Sequence, residues 1–252
     1  MKKVILISGK MGSGKTTLAN ALLLALADLI SGFITVMKFA EPLYIMHNYI
    51  LNKIVSYAAE HGIEKMMAEL PFILHNYVLN KMHSWTGIHL GHDDELFNFF
   101  KEYVKTKVID GKVVVPKKDG DLLQYLGTNF GRTKYGESVW VDILKKLVED
   151  SPHEVIIIDD CRFPNELLAF PDALSIRLDA PTEVRKNRCS MWRQNDQHPS
   201  EIALDELAAT GGFKLYLDTL KTSKEECVKK ILAVYELKFG NLTDTNTVSE
   251  GK

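Results

Sequence analysis

The sequence predicts an α/β protein in three layers, with a central parallel sheet of about five strands between helices. Short apolar runs, typical of strands buried on both faces, alternate with longer segments of helical periodicity. The first two runs, 4–8 and 33–39, flank a segment long enough for a helix, and a parallel pair of strands needs such a crossover. Later runs at 155–158, 173–178 and 213–218 complete the predicted sheet.

A change of pattern after the second strand predicts a helical insertion that ends in a short hairpin at Asp110-Gly111. We expect one domain with no internal repeat. The predicted boundaries are 1–40 and 120–240 for the core, about 41–119 for the insertion, about 181–205 for a lid and 241–252 for a flexible tail.

Composition excludes several classes of function. The 252 residues are 46% hydrophobic and 25% charged, as in globular proteins, and the net charge of -2 includes no basic block of the kind that binds nucleic acid or membrane surfaces. No segment approaches the roughly 20 apolar residues of a membrane span. Three cysteines without a CxxC pair predict neither a disulfide framework nor a zinc site, so we expect a cytoplasmic protein with small-molecule ligands.

The most informative motif is GKMGSGKT at 9–16, which matches G-x-x-x-x-G-K-[ST], the phosphate-binding loop of P-loop NTPases. In such a loop backbone N–H groups face phosphate oxygens, the lysine (Lys15) contacts the β and γ phosphates, and the hydroxyl (Thr16) contacts Mg²⁺. Its place between a buried strand and a buried helix favours this interpretation over an ordinary tight turn. The predicted ATP contacts are Gly9, Lys10, Met11, Gly12, Ser13, Gly14, Lys15, Thr16 and Thr17.

All six arginines lie in one part of the chain, between residues 132 and 193. Guanidinium groups hold a phosphate in fixed orientation through paired donors, as a kinase with a phosphorylated acceptor requires. Arg185 and Arg188, three residues apart, predict a mobile lid that carries charge over the transferring phosphoryl group, with Arg193 beyond them. A solvated basic helix is the alternative. Arg177, within a strand, is predicted to be structural.

Two carboxylates, Asp159 and Asp160, end the most apolar of the later strands. An acid at the end of a strand beside a phosphate loop can hold Mg²⁺ or its waters, directly or through Thr16. Arg162 and Glu166 follow at a spacing of four residues, which also suits a simple ion pair on a helix.

Four motifs together resemble those of the phage deoxynucleoside monophosphate kinase family, within the P-loop nucleoside monophosphate kinase fold. They are GKMGSGKTT, LLQYLGTNFGR with Trp140 eight residues later, DDCRFPNE and HPSE, and the resemblance extends from about residue 4 to residue 237. It implies transfer of the γ-phosphoryl group of ATP, with Mg²⁺, to a deoxynucleoside 5′-monophosphate. The residues that it implies around the monophosphate are Gln124, Arg132, Trp140, Arg162 and Glu166.

The sequence departs from ordinary nucleoside monophosphate kinases, which place an arginine in the helical insertion, because residues 33–131 contain none. Contacts to the acceptor phosphate are therefore expected from Arg132 and Arg162, or from lysines such as Lys38, with Phe39 beside it at the sheet edge. The predicted catalytic residues are Lys15, Arg132, Asp160, Arg162, Arg185 and Arg188, and the predicted metal ligands are Thr16, Asp159 and Asp160.

Three alternatives stay open at this stage. The chain could be a P-loop kinase of another phosphorylated small molecule such as dephospho-coenzyme A, a motor or switch that couples hydrolysis to a partner, or a nucleotide-binding module without catalysis. A homodimer is plausible by analogy, and no nucleic-acid or membrane partner is expected. The stretch GIHLGHDDE suggests a metal site, but Gly91 between its histidines favours a loop.

Overall fold

The computed structural model describes residues 2–30, 32–189 and 199–240. The chain divides into two compact units, a sheet unit formed by 1–39 with 147–252 and a helical unit formed by 40–146. The predicted insertion falls inside the helical unit. That unit continues beyond residue 119 because the helix after it packs against the first helix of the same unit.

The described residues contain seven strands, which form two sheets. The strands are β1 (Lys3–Gly9), β2 (Ile34–Met37), β3 (Val108–Ile109), β4 (Lys112–Val113), β5 (Val155–Cys161), β6 (Leu174–Asp179) and β7 (Leu215–Asp218). The sheet unit contains five of them, all parallel, in the order β2-β5-β1-β6-β7. The predicted five-stranded parallel sheet is thus confirmed, and β5 lies between β1 and β2. The antiparallel pair β3–β4 is the predicted hairpin.

Helices make up most of the remaining structure. They are α1 (Lys15–Leu29), α2 (Glu41–His61), α3 (Ile63–Thr86), α4 (Asp94–Thr106), α5 (Gly120–Gln124), a π-helix (Tyr125–Arg132), α6 (Thr133–Tyr135), α7 (Val139–Asp150), α8 (Pro164–Leu168), α9 (Thr182–Arg188), α10 (Pro199–Ile202), α11 (Asp205–Ala209) and α12 (Lys224–Phe239). Within the described ranges, no helix combines the length and the apolar character needed to cross a membrane.

The core of the sheet unit explains why its strands are continuous apolar runs. Ile5 and Ile7 of β1 belong to one buried cluster with Leu22 of α1 and Ile231 of α12. Leu6, which points to the opposite face, is also 0% exposed. Both faces of the sheet are therefore buried, as the layered α/β prediction requires.

Two helices of the helical unit carry a repeated sequence, so the expectation of no internal repeat was wrong. Residues 44–53 of α2 read YIMHNYILNK and residues 72–81 of α3 read FILHNYVLNK, with seven of ten positions identical. The equivalent tyrosines, Tyr49 and Tyr77, stack with ring centroids 3.6 Å apart. The similarity is short and lies within ordinary helical periodicity, which is why periodicity alone does not separate it from its surroundings.

The repeated histidines make the same contact twice. Nε2 of His47 accepts the backbone N–H of Asp119 at 2.9 Å, and Nε2 of His75 accepts that of Asp93 at 3.2 Å. Each aspartate is the N-cap of a further helix, Asp119 of α5 and Asp93 of α4. A buried neutral imidazole therefore holds the first turn of another helix at both sites.

The motif LLQYLGTNFGR forms α5 and the π-helix. Trp140 packs on this π-helix and donates its Nε1–H to the carbonyl of Gly127 at 2.8 Å. A Cβ atom on Gly131 would lie 2.2 Å from the Trp140 ring, so only glycine allows this approach. The tryptophan and the motif glycines therefore fit each other sterically.

We predict that Gly131→Ala lowers the free energy of unfolding by about 1–3 kcal/mol, since the added methyl group overpacks a buried ring contact. Urea unfolding measures the effect. The matched control is Gly120→Ala, because a Cβ there meets none of the described atoms within 4 Å. Equal stability of the two variants would contradict the proposed packing.

Candidate active site

The carboxyl ends of three neighbouring strands bring many of the predicted site residues to one edge of the sheet unit. The central strand β1 ends at Gly9 and leads into the 9–16 loop, while β5, beside it, ends with Asp159, Asp160 and Cys161. Next to β5, β2 ends immediately before Lys38. In open parallel sheets this edge is where ligands bind.

The 9–16 loop has a conformation that requires glycine. Gly12 has φ +77°, and a Cβ atom there would lie 2.4 Å from the carbonyl oxygen of Arg185. The loop curls so that Lys15 Nζ, at the start of α1, donates to the carbonyls of Gly9 at 2.6 Å and Lys10 at 3.0 Å. The glycine-rich sequence thus lets the backbone of the loop curl around the ammonium group of Lys15.

The environment of Lys15 lowers its pKa to about 8. Burial is the largest cause, because it disfavours the charged form, and the positive charge of Arg162 is the second. The carboxylates of Glu201 and Asp159 act in the opposite direction. Charged residues from distant parts of the chain therefore affect the pKa of Lys15. An anionic ligand beside this ammonium group would stabilise its charged form.

Asp159 and Asp160 make different contacts. The hydroxyl of Thr16 donates to Asp159 Oδ2 at 2.7 Å, and Lys38 pairs with the other oxygen of this buried carboxylate. Asp160 instead accepts the backbone N–H of Phe39 at 2.7 Å. The structure thus links Asp159 both to the loop, through Thr16, and to the segment that follows β2, through Lys38, whereas Asp160 bonds the backbone of that segment at Phe39.

The fit of this edge to Mg²⁺ follows from its donor atoms. Thr16 and Asp159 offer a hydroxyl and a carboxylate oxygen, the hard ligands that Mg²⁺ takes beside a phosphate loop. Among the described residues, no group of three or more histidine, cysteine, aspartate or glutamate side chains is arranged to hold a metal ion. These two residues therefore suit an ion that arrives with nucleotide phosphates and waters as its other ligands.

Arg162 and Glu166 do not form the simple ion pair that their spacing allowed. Glu166 Oε2 accepts the backbone N–H groups of Arg162 at 2.6 Å and Phe163 at 3.0 Å, so it caps the start of α8. The guanidinium of Arg162 instead donates to Glu201 Oε1 at 2.8 Å. The predicted contact of Glu166 with a substrate stays a prediction, since its carboxylate is 8% exposed and bonded to backbone.

Arg185 was predicted to lie in a mobile lid, but its side chain is buried against the 9–16 loop. This side chain is 3% exposed and donates to the carbonyls of Ala180 and Met11 and to the hydroxyl of Thr182. It therefore supports the 9–16 loop from behind, and its predicted catalytic contact is not tested. Helix α9 ends at Arg188, and Arg193 lies among residues 190–198 of the predicted lid, which are outside the described residues.

A cleft of about 480 Å³ adjoins the 9–16 loop. It includes lining residues from α1, the end of α9 and the segment between β7 and α12. These include Thr17, Leu18, Arg188, Leu220, Thr222 and Lys224. Arg188 is tied to this segment, because it donates to the hydroxyl and the carbonyl of Thr219, both at 2.9 Å. The volume suits a nucleoside.

Two parts of the site were not predicted from the sequence: the residues after β7, and Glu201. The first could have been found from topology, since the segment 219–224 follows a strand of the parallel sheet and so lies at its carboxyl edge. Glu201 had a weaker signal, its place in the motif HPSE. Its partners lie 39 and 190 positions away in the chain, which sequence spacing does not reveal.

The remaining predicted site residues lie elsewhere in the chain. Gln124 ends α5 and Arg132 ends the π-helix, with Arg132 Nε 3.9 Å from a carboxylate oxygen of Glu137. Trp140 is 5% exposed and has the packing role described above. Phe39, in the sheet unit, is 4% exposed and contacts another aromatic ring. Contacts of these four residues with an acceptor stay predictions.

Glu166 gives a testable dependence of stability on pH. Burial raises its pKa to about 7 in the folded protein, against an ordinary value of 4.5. The protonated form is favoured in the fold, so this contribution to stability is full below pH 4.5 and is lost as pH rises towards 7. We predict that wild type loses up to about 3 kcal/mol relative to Glu166→Gln across this range in urea unfolding. Parallel stability curves for the two proteins would contradict this.

No protein-family model matches the chain. No curated protein matches it. Among solved structures, the chain is similar to an unliganded sugar kinase from Janibacter sp. HTCC2649, with 17% sequence identity and a TM-score of 0.34 over 95% of this chain and 97% of that one. At this identity and TM-score the likeness carries no conclusion about the fold, substrate or activity of this chain.

Proposed function

We propose that this protein transfers the γ-phosphoryl group of ATP to a deoxynucleoside 5′-monophosphate, which gives the diphosphate and ADP. The observation that carries the proposal is the position of Arg162, which is joined to the 9–16 loop through Glu201: Arg162 Nη1 donates to Glu201 Oε1 at 2.8 Å, and Met11 N–H donates to Glu201 Oε2 at 2.6 Å. Two cations thus converge at the carboxyl edge of a parallel sheet, beside a glycine-rich loop. Such a pair suits a phosphoryl group that passes between two anionic molecules.

The sheet unit offers a separate binding place for the phosphates, the nucleoside and the Mg²⁺ ion of the donor, MgATP. The backbone of the 9–16 loop and Lys15 suit the β and γ phosphates, and the cleft beside Arg188 and Lys224 suits the nucleoside. Thr16 and Asp159 would hold Mg²⁺, which when bound supplies charge neutralisation at the phosphates.

The reaction needs little covalent chemistry from the protein. An oxygen of the acceptor phosphate is already a nucleophile, so its bond to the γ-phosphorus forms while the bond from that phosphorus to the ADP oxygen breaks. No proton has to be removed by a general base. Lys15 and Arg162 would stabilise the charge on the transferring group, and orientation of the two phosphates would supply most of the remaining rate.

For the acceptor we propose the contacts that the motif resemblance implies. Arg132, the sole arginine among residues 1–161, would contact the acceptor phosphate, with Gln124 near the nucleoside. Support for Arg132 comes from its place at the end of a π-helix, a feature frequent at functional sites, and from its partial exposure. The choice of deoxyribose and of base rests on the resemblance alone.

The test is ADP formation from ATP with each common deoxy- and ribonucleoside monophosphate, and with dephospho-coenzyme A as an alternative acceptor. We predict negligible ADP release until a deoxynucleoside monophosphate is added, because a water molecule in the acceptor site lacks the contacts that would orient an acceptor phosphate for attack on the γ-phosphorus. Release that is unchanged by every acceptor would contradict the proposal and would favour an ATPase or a switch.

A second prediction concerns Arg162. Arg162→Lys keeps the charge but removes the planar set of donors, so we expect kcat to fall by about 100-fold while the Kd for MgATP changes by less than about threefold. The control is Arg177→Lys, since Arg177 is buried and bonded to Ser8 and Asp205 as predicted for a structural residue. Equal losses of kcat and of MgATP affinity would place Arg162 outside the transfer step.

A further inference from the structure

Three distant segments meet at the carboxylate of Glu201. Its Oε2 accepts the backbone N–H of Met11, in the 9–16 loop, at 2.6 Å. Its Oε1 accepts from Nη1 of Arg162 at 2.8 Å, and the hydroxyl of Ser200 accepts from the same nitrogen at 3.3 Å. The carboxylate therefore joins the loop to the arginine that carries the proposed function.

The burial of Glu201 restricts the movement of the Arg162 side chain. The side chain is 6% exposed, and a buried carboxylate is tolerated only when it is paired and hydrogen-bonded. Both of its oxygens are bonded, one to a backbone amide and one to a guanidinium. Movement of the Arg162 side chain away from the loop would leave a buried charge without its partner, so the arginine is held in place.

Arg162 keeps donors available while it is held. Within the described part of the chain, its side-chain hydrogen bonds all use Nη1. Among the described residues, Nη2 and Nε have no hydrogen-bond partner, and they could meet a phosphate in the paired geometry that a guanidinium offers.

We propose that Glu201 is a positioning residue for phosphoryl transfer, which fixes the guanidinium of Arg162 against the 9–16 loop before substrates bind. This inference rests on the proposed function. It assigns to the motif HPSE the task of holding the arginine of the motif DDCRFPNE. Glu201 contacts no reacting atom; it acts through Arg162.

The chain contains a matched control for this contact. Asp205, four residues later, pairs with Lys10 of the same loop at 2.6 Å and with Arg177 at 2.7 Å. Asp205 thus also links the loop to an arginine, but this arginine is Arg177, which is buried and has a structural role. Asp205→Asn loosens the same part of the chain without releasing Arg162.

The first test needs no activity. Phenylglyoxal modifies accessible arginines, and mass spectrometry of the peptide that contains Arg162 gives the rate of modification in the protein without nucleotide. We predict that Glu201→Gln raises this rate by about fivefold or more, because one amide oxygen cannot accept both bonds, while Asp205→Asn leaves it unchanged. An unchanged rate in folded Glu201→Gln, as judged by circular dichroism, would overturn the proposal.

The second test is a double-mutant cycle in kcat with the best acceptor found. Glu201→Gln alone should lower kcat by about tenfold, while its Kd for MgATP stays within about threefold of the wild-type value. Combined with Arg162→Lys, it should lower kcat by less than about a further twofold, because the two residues act together. Asp205→Asn should keep kcat within about threefold of wild type. Additive losses, or equal losses in the two acid variants, would overturn the proposal. If wild type accepts no monophosphate, the proposed function fails, while the labelling result still decides the Glu201–Arg162 contact.

Discussion

The proposed site depends on holding two positive charges, Lys15 and Arg162, at the same edge of the sheet, where Glu201 joins Arg162 to the 9–16 loop. Like charges in such an environment repel, and burial raises the cost further, as the lowered pKa of Lys15 shows. Asp159 and Glu201 offset this cost from two sides, since each carries a negative charge that acts on the same lysine. A bound phosphate would add a further anion beside Lys15 and Arg162 and would stabilise their charged forms.

The helical unit is stabilised by a contact that occurs twice, once from α2 and once from α3. Two similar helices each carry a buried histidine that accepts the backbone N–H of an N-cap aspartate, so one local device fixes the start of both α4 and α5. Because α5 continues into the π-helix that ends at Arg132, His47 helps to set the position of the proposed acceptor arginine within this unit. Packing of Trp140 against Gly131 fixes the other side of the same segment.

Local pattern predicted the features that local physics determines. The five strands, the glycine-rich loop and the presence of an acid at the end of β5 beside that loop follow from apolar runs and from the carboxyl-edge rule, both visible in a single sequence. The sequence did not decide between Asp159 and Asp160, and the structure pairs Asp159 with Thr16. Contacts that depend on three-dimensional packing were not predictable in this way. Arg185 lies in a basic helix, yet its side chain is buried against the loop backbone, and the two partners of Glu201 are far away in the chain. The π-helix was missed because its hydrophobic spacing is compatible with an ordinary helix.

The most direct measurement of the central claim follows the phosphoryl group itself. The protein is incubated with ATP labelled with ³²P at the γ position, Mg²⁺ and a deoxynucleoside monophosphate, and the products are separated by chromatography. If the protein is the proposed kinase, the label appears in the deoxynucleoside diphosphate, with little in inorganic phosphate. Label found in inorganic phosphate alone, at a rate independent of the monophosphate, would contradict it.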